Sequence, residues 1–201
     1  LLSRVMVFEF KALTNEDILK LNLYELMQGK IWKIAANLPY YITTPILIYL
    51  IQTELPISIF VFMMQKEVAA RIMASPGTKD YGALTLAIQF YCTAEIVMDV
   101  PPSSFIPKPA VMSTVLKLKK RKKPAVKVKD KKLFFSMVKI AFGQRRKVFT
   151  NALKAGGINK TMIDEILRRT QIDGTRRGET FSMQEFGLLA DAWYDLIHEK
   201  S

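Results

Sequence analysis

The residues best suited to chemistry are Asn37-Leu38-Pro39-Tyr40, which directly follow an apolar run at residues 31–36. That run predicts a buried strand, so the four residues should lie where the strand ends. The Asn37 amide oxygen and the Leu38 carbonyl can accept hydrogen bonds from an amino group, and Pro39 stiffens the turn that aims them. The Tyr40 ring can stack on a base. The four residues therefore predict a binding site for a flat ring that carries an amino group. The alternative is a strand-to-helix turn without chemistry.

The basic residues are concentrated in one part of the chain. The formal net charge is +12, from 30 Lys+Arg and 18 Asp+Glu. Residues 1–116 hold 9 basic and 9 acidic side chains, so the whole excess lies in residues 117–201. The densest segment, 117–132, has ten basic residues and one acid. This asymmetry indicates a polyanionic partner, although a dense basic run can also be a solvated linker.

The composition excludes several classes of protein. A chain of 201 residues, half of them hydrophobic, can bury a real core in one or two domains. No apolar run reaches the roughly 20 residues of a membrane span. The single cysteine, Cys92, cannot form an intramolecular disulfide, which fits a reducing, cytoplasmic location. The single histidine, His198, argues against a zinc site or a Ser-His-Asp triad, and we interpret it as a surface residue.

The order of the elements predicts two domains. Up to about residue 120, strands alternate with helices, which is typical of an α/β domain with a mostly parallel sheet. No helix separates the last two strands, 90–100 and 111–118, so they should form an antiparallel edge pair. Thr44 should cap the helix that follows the Asn37 turn. Beyond residue 132 the pattern is helical only, and we therefore predict domains at 1–123 and 124–201.

Caps and stops delimit the helices of the second domain. One helix should start just after Gly143 and end at Gly156-Gly157. Asn159 should cap the next, and Ser182 with Glu185 resembles a capping box for the last helix, 183–197.

Five segments of the chain, in order, resemble the ribosomal RNA adenine dimethyltransferases, specifically the bacterial enzymes that make N6,N6-dimethyladenosine in the small subunit. Asn37-Leu38-Pro39-Tyr40 is one form of the Asn-Pro-Pro-Tyr-like signature of enzymes that methylate amino nitrogens. The resemblance covers most of the chain from about residue 14. The segments are Asn37-Leu38-Pro39-Tyr40-Tyr41-Ile42-Thr43-Thr44-Pro45, Met64-Gln65-Lys66-Glu67-Val68-Ala69, Tyr81-Gly82-Ala83-Leu84, Phe105-Ile106-Pro107-Lys108-Pro109-Ala110-Val111 and Phe142-Gly143-Gln144-Arg145-Arg146-Lys147.

The resemblance implies a Rossmann-like methyltransferase domain that uses S-adenosyl-L-methionine, followed by a small helical domain. Asn37 and the Leu38 carbonyl would orient the adenine N6, and Tyr40 would stack on the flipped base. Phe105 resembles a second stacking aromatic, with a core aromatic as the alternative. Asp17 resembles the acid that receives the cofactor's adenine amine, with a helix cap as the alternative. Catalysis would then be mainly positioning, because the sulfonium methyl is already activated.

The implied partner is ribosomal RNA in the immature small subunit, with a role in the maturation of that subunit. We expect RNA contacts from Lys120 and Arg121 in the basic segment and from Arg145, Arg146 and Lys147. The two arginines should lie at a helix start, where their charges oppose the helix dipole unless an anion is near. We expect a monomer with no metal and no membrane partner.

The start of the chain departs from the family pattern. The glycine-rich cofactor loop should precede residue 1, so we expect an N-terminally incomplete chain that binds the cofactor weakly or not at all. Glu9 has the local shape of a ribose-binding acid, but it lies only eight positions before Asp17, so no role is assigned to it.

Three alternatives compete with this interpretation. The first is a large-subunit adenine methyltransferase of the macrolide-resistance type, against which the 142–147 segment and the basic tail argue. The second is a DNA adenine methyltransferase, which should carry a target-recognition region that is not evident. The third is a non-catalytic RNA-binding assembly factor.

Overall fold

A computed structural model describes residues 30–199 in full and residues 4–9 as a backbone strand. Asp17 lies outside the described residues. The sheet contains five strands in the order β1-β2-β3-β5-β4. They are β1 (Arg4–Glu9), β2 (Trp32–Asn37), β3 (Ile57–Gln65), β4 (Cys92–Val100) and β5 (Ser113–Lys120).

The strand directions confirm the predicted α/β sheet. β1, β2 and β3 pair in parallel, β5 runs antiparallel to β3, and β4 pairs antiparallel with β5. Only β5 therefore runs against the other four strands. The expected antiparallel pair is present, with β4 at the edge and β5 inserted between β4 and β3.

The core of the sheet is formed by side chains that alternate between buried and more exposed positions along β3 and β5. Phe60 and Phe62 of β3 are fully buried and lie opposite Leu118 and Leu116 of β5. Such cross-strand apolar pairs are the unit of sheet stabilisation. Each large side chain removed from water contributes roughly 1.5–3 kcal/mol. Helix α1 (Thr43–Gln52) follows β2 after a five-residue turn, and helix α2 (Lys66–Met73) follows β3 directly.

The chain forms two compact units. One contains the described residues as far as Met73 together with Tyr91–Lys123, and the other contains Ala74–Phe90 and the described residues from Pro124 onward. Segment 74–90, which the sequence assigned to the first domain, makes its described contacts with the helices. For example, the Tyr81 hydroxyl donates to the Phe181 carbonyl at 2.9 Å. The predicted division at residues 123 and 124 stays a prediction.

The helical unit is built around aromatic side chains. Its helices are α3 (Ala83–Tyr91), α4 (Lys131–Gly143), α5 (Phe149–Ala155), α6 (Lys160–Thr170) and α7 (Met183–His198). Phe149, Phe181 and Phe186 are fully buried and meet edge to face, with ring centroids 4.8–6.5 Å apart. Burial, and secondarily the charge of Glu185, raises the pKa of the Tyr81 hydroxyl far above its ordinary value.

Two predicted caps are confirmed. The Asn159 side chain accepts a hydrogen bond from the Met162 amide at 2.8 Å. Ser182 and Glu185 form the reciprocal capping box at the start of α7. Helix α5 ends at Gly156, and Gly157 has φ +87°, a backbone conformation that glycine adopts readily. Across residues 30–199 and the 4–9 strand, no helix has the length and apolarity needed to span a bilayer.

Two predicted helix starts are wrong. Thr44 is not the cap of α1, because a short 3-10 turn at Tyr40–Ile42 runs straight into the helix and Ile42 takes the cap position. Helix α5 begins at Phe149 rather than just after Gly143, because residues 144–147 form a turn. The Lys147 amide donates to the Gln144 carbonyl at 2.9 Å and closes that turn.

Candidate functional site

Asn37 is the last residue of β2, at the carboxyl end of three adjacent parallel strands. It lies in register between Glu9 of β1 and Met63 of β3. Its side chain is exposed, and its carboxamide has no hydrogen-bond partner among the described residues. Ligands of open α/β sheets bind outside the carboxyl ends of the strands. The Asn37 carboxamide lies at such an end, and no described residue occupies it, so it can bind a ligand there.

The backbone after Asn37 leaves a second acceptor free. The buried Leu38 donates its amide to the Met63 carbonyl at 3.2 Å, which holds the turn against β3. The Pro39 carbonyl accepts from the Ile42 amide at 3.1 Å and from the Thr43 hydroxyl at 2.9 Å. No described group donates to the Leu38 carbonyl. The turn therefore uses the Pro39 carbonyl for its own closure and leaves the Leu38 carbonyl for a ligand.

Tyr40 is anchored by its hydroxyl. That oxygen lies 2.7 Å from the hydroxyl oxygen of Ser113, which is fully buried at the start of β5. The ring is half-buried and has no aromatic contact among the described residues. A ring held at one end, with its faces unoccupied by other rings, is suited to stacking on a planar ligand.

Phe105 lies in the connection from β4 to β5. It follows the 3-10 turn Pro102–Ser104 and donates its amide to the Pro102 carbonyl at 3.2 Å. Its side chain is half-exposed and shows no ring contact within residues 30–199, which disfavours the interpretation as a core aromatic. Val100 pairs with Ser113, so Phe105 and Tyr40 belong to the same end of the sheet. The stacking role of Phe105 stays a prediction.

A polar clamp ties β3, β4 and β5 together at this end, and sequence reasoning missed it. The Lys66 ammonium lies 2.5 Å from one oxygen of the Asp99 carboxylate, and the buried Thr114 hydroxyl donates to the other at 2.6 Å. These hydrogen bonds, first from Lys66 and then from Thr114, lower the pKa of Asp99. Lys66 stands in a segment quoted for the family resemblance, but its partners are 33 and more positions away in the sequence. Only the pairing of the strands brings them together.

The two hydrogen-bond acceptors at Asn37 and Leu38 suit the amino group of a nucleoside base. A free amide oxygen and a free carbonyl are the acceptors that an exocyclic adenine amine requires. Within the described part of the chain, no group of three or more His, Cys, Asp or Glu side chains could hold a metal ion.

The two predicted RNA contacts in the basic segment are engaged with the sheet unit. The half-buried Lys120 ammonium donates to the carbonyls of Thr53 at 2.8 Å and Leu55 at 3.3 Å. Burial lowers the pKa of Lys120. The exposed Arg121 donates its Nε to the Cys92 carbonyl at 3.3 Å. Both side chains therefore hold the ends of strands in place.

The cations of the 144–147 turn divide into two kinds. Arg145 donates to the carbonyls of Lys79 at 2.6 Å and Tyr81 at 3.3 Å and lies 3.5 Å from the Glu179 carboxylate. Arg146 and Lys147 are exposed and have no side-chain partner among the described residues. The turn thus presents two unpaired cations. The predicted place of Arg145 and Arg146 at a helix start is wrong, because α5 begins only at Phe149.

Comparison with known proteins identifies relatives. The family model for ribosomal RNA adenine dimethylase matches residues 9–187. The chain is 48% identical over 183 residues to the ribosomal RNA small subunit methyltransferase A of Alkaliphilus oremlandii, a match that covers 88% of this chain and 64% of that relative. The chain therefore spans just under two thirds of that relative's length.

Two solved structures share the fold. A dimethyladenosine transferase from Plasmodium falciparum superposes with a TM-score of 0.70 at 21% identity, over 93% of this chain and 80% of that one. The 23S rRNA methyltransferase ErmE superposes with a TM-score of 0.59 at 20% identity, over 83% of this chain and 66% of that one. These likenesses confirm the predicted fold, a methyltransferase-type α/β sheet followed by helices.

Proposed function

The chain belongs to the ribosomal RNA adenine dimethylase family, and we propose that it acts in the S-adenosylmethionine-dependent dimethylation of adenine N6 in small-subunit ribosomal RNA. The observation that carries this proposal is the pair of unpaired acceptors at Asn37 and Leu38, beside the anchored ring of Tyr40. The small-subunit target is supported by the name of the Alkaliphilus oremlandii relative.

The residues of this chain act by positioning the adenine. One hydrogen of the N6 amine is donated to the Asn37 carboxamide oxygen and the other to the Leu38 carbonyl. With its hydrogens held, the nitrogen lone pair is oriented for attack without a general base, and the proton that the nitrogen loses after each methyl transfer passes to water. S-adenosylmethionine, when bound, supplies a methyl group on an already activated sulfonium. Orientation of this kind can supply about 7–11 kcal/mol of a reaction barrier.

The aromatic residues hold the base outside the RNA helix. An adenine paired and stacked in a duplex cannot present N6 to the site, so the base must be extruded. The Tyr40 ring, fixed by Ser113, stacks on one face of the adenine. Phe105 supplies the second face. Because the hydroxyl of Tyr40 is already held, the ring loses little conformational entropy when the base binds.

Two residues are proposed to hold the cofactor. Asn37 lies at the carboxyl edge of the parallel strands, the edge at which nucleoside cofactors bind sheets of this kind. Asp17 keeps its predicted role toward the cofactor's adenine amine.

The proposed partner is the RNA of the immature small ribosomal subunit, met in the cytoplasm by a monomer. The unpaired cations Arg146 and Lys147 support RNA contacts in the helical unit. Their contacts would go to phosphates, which carry affinity but no sequence information.

A methyl-transfer assay tests the proposed function. The 201-residue chain and the Alkaliphilus oremlandii relative are incubated with methyl-tritiated S-adenosylmethionine and three substrates: small subunits that lack N6,N6-dimethyladenosine, large subunits, and duplex DNA. We expect the relative to transfer the tritiated methyl group to adenine of the small subunit. Any methyl transfer by this chain should show the same preference for small subunits over large subunits and DNA.

The outcomes separate the competing functions. Label in large subunits or in DNA would contradict the proposal in favour of the corresponding methyltransferase. If the relative transfers methyl groups and this chain binds small subunits without transfer, the chain is a non-catalytic RNA-binding factor.

A further inference from the structure

A surface depression of about 510 Å³ lies within the helical unit, away from Asn37 in the sequence and formed by other elements. Helices α4, α5 and α7 enclose it. Its polar wall includes Ser136, Lys139 and Gln144, and Trp193 of α7 closes one side. The rest of the lining is Ile140 with two glycines and two alanines, whose small side chains leave room for a planar group.

The polar side chains that line this depression have no hydrogen-bond partners among the described residues. Trp193 is half-exposed, and its indole N–H makes no hydrogen bond among the described residues. The same holds for the Gln144 carboxamide and the Lys139 ammonium. Because the Trp193 ring is only half-buried, its face and its N–H are both accessible to a ligand. The depression therefore offers a ring face, an amide and a cation to a ligand.

A second depression, of about 570 Å³, continues from the first. It is formed by residues 143–147, and Gly143 and Gln144 line both. The unpaired Arg146 and Lys147 stand on its wall. No Asp or Glu lines either depression. By contrast, the depression between α6 and α7 is lined by three acids, Asp164, Glu165 and Glu199, and by two arginines, Arg168 and Arg169. The charged side chains that line the first two depressions are all positive, which favours an anion there.

We propose that these two joined depressions bind an unpaired nucleotide of RNA together with its neighbouring phosphates. The base stacks on Trp193, Gln144 hydrogen-bonds to an edge of the base, and Lys139 meets its phosphate. Arg146 and Lys147 meet the phosphates that follow. Aromatic stacking combined with a basic groove is the usual physical basis of single-strand binding. The site deepens the proposed function, on which it rests, by adding a second base-binding site outside the methylation site.

Two glycines define the shape of the site and supply a test. At Gly156, an added Cβ would come within 2.7 Å of Ile140, so this glycine lets α4 pack close to the end of α5. At Gly143, an added Cβ would meet no atom within 4 Å. A larger side chain at residue 143 therefore starts in open space on the wall of both depressions and should narrow them.

The first experiment follows the fluorescence of Trp193 in the full 201-residue chain. The chain has two tryptophans, so Trp32→Phe leaves Trp193 as the only emitter. The probe is a single-stranded octa-adenylate RNA, with a blunt RNA duplex of the same length as the comparison. We expect the single strand to quench Trp193 and the duplex to quench it much less, because paired bases are not available for stacking.

The second experiment measures the affinity of a fluorescein-labelled octa-adenylate by anisotropy. Trp193→Ala and Gly143→Leu should each lower the affinity about fivefold or more, as expected for the loss of one base–aromatic stack. Trp193→Phe should retain most of the affinity because it keeps a ring face. Leu188→Ala, an exposed residue on the same helix, is the matched control and should have no effect. Lys139→Gln should weaken binding, whereas Lys160→Gln, another exposed lysine, should not.

The outcomes decide the proposal independently of the methylation activity. Quenching by the single strand with losses for Trp193→Ala and Gly143→Leu supports the site, even if no methyl transfer is found. Unchanged affinity in Gly143→Leu, or no quenching at RNA concentrations that saturate the anisotropy, overturns it, even if the methyl-transfer assay succeeds. Equal quenching by duplex and single strand also overturns it, because the site would then follow phosphates rather than an unpaired base.

Discussion

At the scale of single residues, two neighbouring hydrogen-bond acceptors determine which ligand the site can bind. The Asn37 carboxamide and the Leu38 carbonyl are both unpaired within residues 30–199, whereas the neighbouring Pro39 carbonyl accepts two hydrogen bonds. A free acceptor next to a saturated one is unusual in a turn that packs against a sheet, because buried backbone groups are normally paired. The site is therefore prepared for a ligand with two amine hydrogens.

Removal of the Asn37 amide should affect turnover rather than RNA binding. We expect Asn37→Ala to lower kcat/KM for methyl transfer by about 100-fold, because the amine is then held by one acceptor and loses its orientation. RNA affinity should change little, since phosphate contacts dominate it. The measurement is steady-state methyl transfer by an active protein that contains this chain, with anisotropy for the RNA. Asn151→Ala, an exposed asparagine of α5, is the control. Wild-type turnover in Asn37→Ala would show that the assigned role is wrong.

The 144–147 turn shows, at the scale of elements, that neighbouring cations can serve different purposes. Arg145 donates to two backbone carbonyls and so joins the turn to segment 79–81. Arg146 and Lys147 have no such partners in the described structure. A charge with no internal partner gains most from an external phosphate, so the turn itself should be a contact for RNA.

Neutralisation of the turn should weaken RNA binding and change its salt dependence. For Arg146→Gln/Lys147→Gln we expect a salt slope less steep by about 1.5, since each lost phosphate contact removes about 0.7–0.9 from the slope. The control pair is Lys122→Gln/Lys123→Gln, two exposed lysines of the basic segment, which should lose less. Arg145→Gln should lower thermal stability instead. The readout is RNA affinity between low and moderate salt. Small, equal losses in both pairs with the slope unchanged would refute the contact.

An ion network joins α6 to the end of α7. Glu165 accepts hydrogen bonds from Arg168 at 2.7 and 2.8 Å and from Arg169 at 2.8 Å, and Arg169 also reaches Glu199 at 2.6 Å. The hydrogen bonds from Arg168 and then Arg169 lower the pKa of Glu165 from 4.5 to about 2. Because the folded-state pKa is depressed, this contribution to stability is present above pH 4.5 and is lost as the pH falls toward 2.

A pH series should reveal the network. Glu165→Gln should lower the unfolding temperature at pH 7, and the difference from the unmodified chain should shrink steadily between pH 4.5 and 2, where Glu165 takes up a proton in both states. Glu67→Gln, an exposed glutamate of α2, serves as the control and should show no such trend. Thermal denaturation followed by circular dichroism is sufficient. A difference that stays constant over this range would mean that the network contributes nothing.

At the scale of the whole molecule, the charge is uneven along the chain but not between the two units, because the six basic residues from Lys117 to Lys123 belong to the sheet unit. The net charge of residues 1–116 is zero, and all of the +12 lies beyond them. We therefore expect the residues proposed to hold the base and those proposed to contact phosphates to lie in different stretches of the chain.

The sequence by itself determined the local features of the molecule. The apolar run before Asn37, the Asn159 cap and the Ser182 capping box each depend on residues within a few positions of one another, so their patterns can be seen directly in the sequence. The α/β pattern with its antiparallel edge pair followed from the order of strands and helices. Even the misplaced starts of α1 and α5 erred by only a few residues, because short turns compete locally with the first helical turn.

Only the tertiary structure decided which side chains are free to act. Tyr40 and its partner Ser113 are 73 positions apart, Arg145 and Lys79 are 66 apart, and Lys120 and Thr53 are 67 apart. A lysine or arginine that binds a distant carbonyl has the same local sequence as one that awaits a phosphate. The two differ only in which remote segment packs beside them, and that choice depends on burial and strand pairing across the whole chain.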